Sequence, residues 1–182
     1  AWVAVPEHFV LCGGTAIALQ LGHRASVDFD FIGPEEFDPD ALYDEVTFLH
    51  GSKPIQKSAS TLTCVVDVEG PVQVSFFGAP KVQLIEIPVV ASDIGLNVAS
   101  LLDLAGMKAA VVQKRAEARD YIDVDALIQI GKVKLPSALA AARDDEVTLL
   151  QWQLLGRLGA NVVPSRIAPG HESWLKAAVM AP

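Results

Sequence analysis

Apolar positions follow two different periods along this chain. Between Phe9 and Ile87 they come in short runs or alternate with polar residues, whereas beyond Ser100 they recur at helical spacing. The run Phe9-Val10-Leu11-Cys12 stops at Gly13-Gly14, which predicts a buried strand, a glycine turn and a short apolar helix opened by Thr15. After Gly22, His23 and Arg24, the stretch Val27–Phe31 predicts a second strand, with Val27, Phe29 and Phe31 on one face and Asp28 and Asp30 on the other. Gly33-Pro34 breaks the chain, and Asp38-Pro39 reads as the N-cap and first position of a helix to about Leu49. Thr61–Val68 and Val72–Phe77 predict a hairpin about Glu69-Gly70-Pro71, and Val82–Ile87 a further strand stopped by Pro88.

The second half reads as helices. Ser100-Leu-Leu-Asp103 is a capping-box variant opening a helix to about Arg115, and a second runs from Arg119 to about Ile130. Others are expected at about 136–143, 146–158 and 172–180, with Trp152 and Trp174 as core anchors and Trp2 and Val3 packing on the core. The expected fold class is therefore α/β (α+β): a small mixed-sheet core over residues 1–97, then a helical region over 98–182 packed on it.

Composition narrows the picture. A chain of 182 residues can bury a real core, and no apolar run reaches the eighteen or so residues that span a bilayer. No signal-peptide pattern is read, and Cys12 and Cys64, both in strand-like runs, suit buried thiols in a reducing compartment, so the expectation is a cytoplasmic protein with no membrane partner. The net charge of −8 argues against broad nonspecific nucleic-acid binding. Residues 1–103 hold four basic and fourteen acidic side chains, and residues 104–182 hold ten and eight. An acidic, metal-binding half facing a basic, phosphate-binding half is one reading of that asymmetry, and unorganised surface charge is the other.

The candidate chemistry lies between Gly13 and Asp30. Carboxylates two apart on a strand lie roughly 6–7 Å from each other, and at an effective dielectric near 20 they repel by about 2–3 kcal/mol. A hard divalent cation between Asp28 and Asp30 reverses that sign. The plainer reading is an edge strand whose aspartates face water. Gly13 and Gly14 let a backbone approach a ligand closely, and the helix behind them offers free N–H groups and a positive dipole end to phosphate. Thr15 can cap that helix and offer its hydroxyl to a phosphate oxygen.

The order apolar-Gly-Gly, a spacer, then Asp-apolar-Asp-apolar resembles the signature of the polymerase β-type nucleotidyltransferases. More narrowly, GGTAIALQLGHRASVDFDF resembles the AbiEii toxin family of nucleotidyltransferases, with its GGTA-type turn and R-x-S-x-D-x-D-F. The resemblance implies that Asp28 and Asp30 hold one or two Mg²⁺ ions, while Gly13, Gly14 and Thr15, with Arg24 and Ser26, bind the nucleoside triphosphate. The later pattern of Lys108, Arg115, Arg119, Asp120 and Asp123 is similar to further motifs of that family, in which a lysine contacts the nucleotide and an aspartate completes the site. Spacing leaves Asp120 and Asp123 both open, with Asp123 the preferred one, as a metal partner or a helper to the base. Apart from the resemblance, Lys108 reads as a snorkelling lysine, and Arg119 with Asp123 as an intrahelical ion pair.

The resemblance also implies a third carboxylate, which members of the polymerase β-type superfamily usually carry on a later strand of this sheet. Asp67, Glu69 and Glu86 are candidates here, but VQVSFF offers Ser75 where an acid is expected. The reaction implied is attack of a hydroxyl on the α-phosphate of a nucleoside triphosphate, with RNA such as tRNA as acceptor and an antitoxin protein as restraining partner. Against it stand a non-catalytic nucleotide- or partner-binding module of the same fold and a phosphohydrolase. Dinucleotide-binding and P-loop readings fail because G-x-G-x-x-G and G-K-[ST] are absent.

Overall fold

The computed structural model describes residues 5–91, 95–112 and 117–143. The expected helices at 146–158 and 172–180, the four outermost N-terminal residues and Arg115 lie outside them. Within the described residues the chain runs β1 (Val10–Cys12), α1 (Gly13–Leu21), β2 (Phe29–Gly33), α2 (Pro39–Glu45), a 3₁₀ turn (Thr47–Leu49), β3 (Lys53–Ser58), β4 (Thr61–Asp67), β5 (Pro71–Gly78), β6 (Val89–Ala91) and β7 (Leu96–Val98), followed by α3 (Leu101–Val112), α4 (Ala118–Gln129) and α5 (Leu135–Arg143). The strands form one mixed sheet in the order β3-β4-β5-β2-β1-β7-β6. A mixed α/β core followed by helices is the architecture expected from the two periods.

Pairing follows the apolar pattern. β1 and β2 are antiparallel, with Leu11 opposite Phe31 and Cys12 opposite Asp30, and β2 runs parallel to β5, with Phe31 opposite Phe76. One sheet face therefore gathers Phe31 and Phe76, whose rings stack at 5.1 Å, with Phe9 edge-on to Phe76 at the same distance. Leu62 lies opposite Phe76 on β4, and Leu42, Val46 and Leu49 join the same buried core. The Glu69-Gly70 bend closes β4 on β5 as expected, with Asp67 opposite Pro71. Cys12 and Cys64 are buried and free.

Several boundaries differ from the expected ones for local reasons. Val82–Ile87 is not a strand, because the N–H groups of Ile85 and Glu86 go to the Asp103 carboxylate at 2.7 and 3.3 Å rather than to a ladder. Asp103 is itself held by the capping box: its N–H donates to Ser100 Oγ at 3.0 Å, and the Ser100 hydroxyl donates back to Oδ2 at 2.6 Å. The edge strand β3 carries exposed Lys53, Pro54 and Lys57, without the alternation that marks a half-buried strand. Strands β6 and β7 are three residues each, too short for a periodic signal. Asp38 caps α2 as expected, accepting from the Asp40 N–H, but extended backbone at Val46 ends the helix at Glu45. β2 starts at Phe29 and continues to Gly33, two residues later at each end than the alternation predicts. No described helix is long and apolar enough to cross a membrane.

Candidate functional site

The site is built where β1 ends and α1 begins. Helix α1 starts at Gly13, two residues earlier than expected, with Cys12 as its N-cap and no side-chain hydrogen bond capping the first turn. A thiol is a poor acceptor, so the end that carries the positive dipole lacks a side-chain cap. Gly13 has φ of +72°, and a Cβ on it would lie 2.9 Å from Asp30 Oδ2. The glycine bend therefore rests directly against the aspartate of the neighbouring strand. A Cβ on Gly14 would lie 2.3 Å from Arg24 Nη2 and 3.4 Å from Ser26 Oγ, so the second glycine makes room for the guanidinium.

Thr15 takes a different part from the expected one. It is buried at 1% exposure, and its hydroxyl donates to the Asp28 carbonyl and lies 2.9 Å from Ser26 Oγ. That hydroxyl neither caps α1 nor faces a phosphate seat: it ties the first helical turn to the segment entering β2. The physical reason is the early helix start, which turns position 15 inward.

Asp28 and Asp30 are both half-buried. Burial raises the pKa of each; Asp28 adds repulsion at Asp30, and Lys108, a hydrogen bond from Ser75 and Arg119 offset part of it, leaving Asp30 at about 6. At Asp28, Arg119 and Arg24 oppose the burial. Mg²⁺ is commonly bound by one or two carboxylates together with substrate phosphates, keeping several waters, so two mutually repelling aspartates beside an uncapped helix end fit such an ion. Among the described residues no group of three or more His, Cys, Asp or Glu is arranged to hold a metal. Ser75 stands directly opposite Asp30 on β5. Asp67 pairs with Pro71, four residues along that strand and about 13 Å away. Glu69 lies in the hairpin bend, and Glu86 on the loop held by Asp103.

A second cluster lies behind the glycine bend. Asp123 on α4 receives Arg24 Nε at 2.6 Å and Nη2 at 2.9 Å, a bidentate pair, with His23 Nε2 at 2.7 Å and Lys108 Nζ at 2.7 Å. Lys108 also donates to Asp120 Oδ1 at 2.8 Å. Burial works against ionisation of Asp123, but Arg24, Lys108 and His23 outweigh it and hold its pKa at about 2. Lys108 is thus no snorkelling side chain; it is buried on two carboxylates. Arg119 does not pair with Asp123 as expected, and its Nε meets Glu117 Oε2 at 2.7 Å. A lone histidine after a glycine carries no motif, so the sequence does not single out His23; its contact with Asp123 spans 100 residues of sequence.

These contacts set an expected outcome for Gly14→Ala. The added methyl displaces Arg24 Nη2 from its place on Asp123, so the buried carboxylate loses its bidentate partner and the fold is destabilised. Thermal unfolding checks it: a melting temperature several degrees below that of the unaltered chain is the expected result, and an unchanged one would show that Arg24 keeps its place on Asp123.

The sequence profile described as "Nucleotidyl transferase AbiEii toxin, Type IV TA system" matches residues 2–180. An uncharacterised protein of Aquifex aeolicus (strain VF5) is 34% identical over 124 residues, which is 67% of this chain and 58% of that protein's length. Among solved structures, the antibiotic-resistance factor ANT(2'')-Ia superposes with a TM-score of 0.52 at 10% identity, covering 85% of this chain and 88% of that one, a likeness of fold alone.

Proposed function

The chain belongs to the AbiEii nucleotidyltransferase toxin family, and from that premise we propose that it moves a nucleoside monophosphate from a nucleoside triphosphate to a hydroxyl of an RNA acceptor such as tRNA, under restraint by an antitoxin partner. The acceptor oxygen bonds to the α-phosphorus, the bond from that phosphorus to the bridging oxygen breaks, pyrophosphate leaves, and the hydroxyl proton is released to water. The observation that carries the reading is the contact of Asp30 with the Gly13 bend, which sets a carboxylate pair against an uncapped helix N-terminus.

In this reading each residue has its own role. The N–H groups of Gly13, Gly14 and Thr15 seat the outer phosphates, because an uncapped first turn presents donors and positive potential. Arg24 lies over Gly14 with its guanidinium fixed by Asp123, so its charge meets phosphate without reorganising. Ser26 supports the same turn through Thr15. Lys108, held by Asp120 and Asp123, is a fixed positive charge behind Asp30. Asp123 serves as the anchor of Arg24, His23 and Lys108; a carboxylate held near 2 is too weak a base to take a proton at neutral pH. Asp28 and Asp30 would hold Mg²⁺, which when bound neutralises phosphate charge and polarises the reacting centre.

Incubation with Mg²⁺, each α-labelled triphosphate and total tRNA, beside an Asp30→Asn variant, tests this. Label passes to RNA with the unaltered chain and not with the variant. Equal labelling by both removes the role given to Asp30. A second reading, a nucleotide- or partner-binding module without turnover, is favoured by Ser75 standing opposite Asp30 where a third acid is expected. Metal and nucleotide binding with no transfer to any RNA supports that reading instead.

A further inference from the structure

The sheet face that carries Asp30 continues as a file of uncharged hydrogen-bonding side chains. Ser75 is opposite Asp30 on β5, Thr63 is opposite Ser75 on β4, and Gln56 is opposite Thr63 on β3. Residues paired across strands project to the same face, so these four lie side by side over three strand spacings, about 14 Å. Gln73, two residues from Ser75 on the same face, donates to Ser75 Oγ at 3.4 Å, a long bond. Ser75 is 1% exposed and Thr63 2%.

Two oxygens of this file lack partners. Thr63 Oγ1 and Gln56 Oε1 are buried with no hydrogen-bond partner among the described residues. A hydroxyl left unsatisfied costs roughly 1–3 kcal/mol, and Val would fill the Thr63 position at no such cost. Such groups persist where something else hydrogen-bonds to them, either an ordered water or a ligand. The file starts at the aspartate beside the glycine bend and runs away from that bend. It carries no positive charge, so it suits sugar hydroxyls and not phosphates.

We propose that Ser75, Thr63 and Gln56 form the acceptor shelf, binding ribose hydroxyls of the RNA end and delivering the attacking oxygen beside Asp30. The inference rests on the transfer reading above and adds the residues that select the acceptor. Ser75 sits where a third acid is expected, and in this assignment its hydroxyl bonds the acceptor and takes no part in holding metal. Gln73 swings off Ser75 as the ribose arrives, giving up the long Gln73–Ser75 bond.

Thr63→Val and Thr63→Ser test the shelf. Fluorescence anisotropy with labelled tRNA measures binding without turnover, comparing RNA with an intact terminal diol against the same RNA after periodate oxidation. The unaltered chain binds the intact end about tenfold more tightly, Thr63→Val binds both alike, and Thr63→Ser restores the preference. In transfer assays Thr63→Val raises the acceptor KM about tenfold while calorimetry finds Mg²⁺–triphosphate binding unchanged. A merely structural hydroxyl gives a Thr63→Val protein of equal or higher stability with the acceptor preference and KM intact, which overturns the shelf. Loss of transfer in the unaltered chain with the diol preference retained counts against the reaction and leaves the shelf standing.

Discussion

Asp30→Asn is expected to raise the melting temperature and to lower the proposed nucleotidyl transfer by about a hundred- to a thousandfold. Both effects come from one carboxylate. Folding brings Asp30 into a half-buried position beside Asp28 and raises its pKa from 3.8 to about 6. For a carboxylate a raised folded value is a penalty on the ionised form: present in full above about 6, relieved as the pH falls, and gone below the unfolded value near 4. At pH 7 the amide removes roughly 2 kcal/mol of it, less than the full shift because solvent still reaches the site. The unaltered chain should therefore gain more stability from pH 7 to pH 5 than the variant, in which only Asp28 of the pair keeps a raised pKa.

Asp123→Asn has the opposite sign. Its carboxylate joins Arg24 of the segment before β2, His23 and Lys108 of α3, so neutralising it leaves Arg24 and Lys108 short of their counter-charge. Breaking a buried ion network from one side costs about 3–5 kcal/mol, and Lys108 keeps Asp120, which places the loss toward the lower figure. The folded pKa is depressed to about 2, so this stabilisation is present above the unfolded value of 3.8 and is lost as the pH falls through 2. Urea denaturation at pH 7 and pH 3 separates the two aspartates: the Asp123→Asn deficit is full at pH 7 and smaller at pH 3. Transfer falls as well, since Arg24 loses the partner that fixes it over Gly14.

The stretch from Phe9 to Ile32 was legible because its order is local. An apolar run ending in Gly-Gly and an alternating strand each follow from neighbours in sequence, and their pairing brings Cys12 opposite Asp30. The capping box at Ser100 was legible for the same reason. What escaped is set by distant contacts. Asp120 and Asp123 share a helix face and both reach Lys108, so no spacing distinguishes them; the added contacts with His23 and Arg24 come from about a hundred residues away. Val82–Ile87 has the composition of a strand, but the Asp103 carboxylate competes for its N–H groups. Edge strands β3 and β6 hold exposed residues and so carry no buried alternation. Thr15 was aimed at phosphate from its place after two glycines, and a helix beginning at Gly13 turns it inward.

For the proposed transfer, the two aspartates, the glycine bend and the cationic cluster must make one seat for a metal-bound triphosphate. Thermal unfolding of the unaltered chain and of Asp30→Asn, each with and without Mg²⁺ and triphosphate together, addresses that seat directly. The unaltered chain should melt several degrees higher with the pair present, and the variant, already higher on its own, should not move. An equal upward shift in both proteins would contradict it.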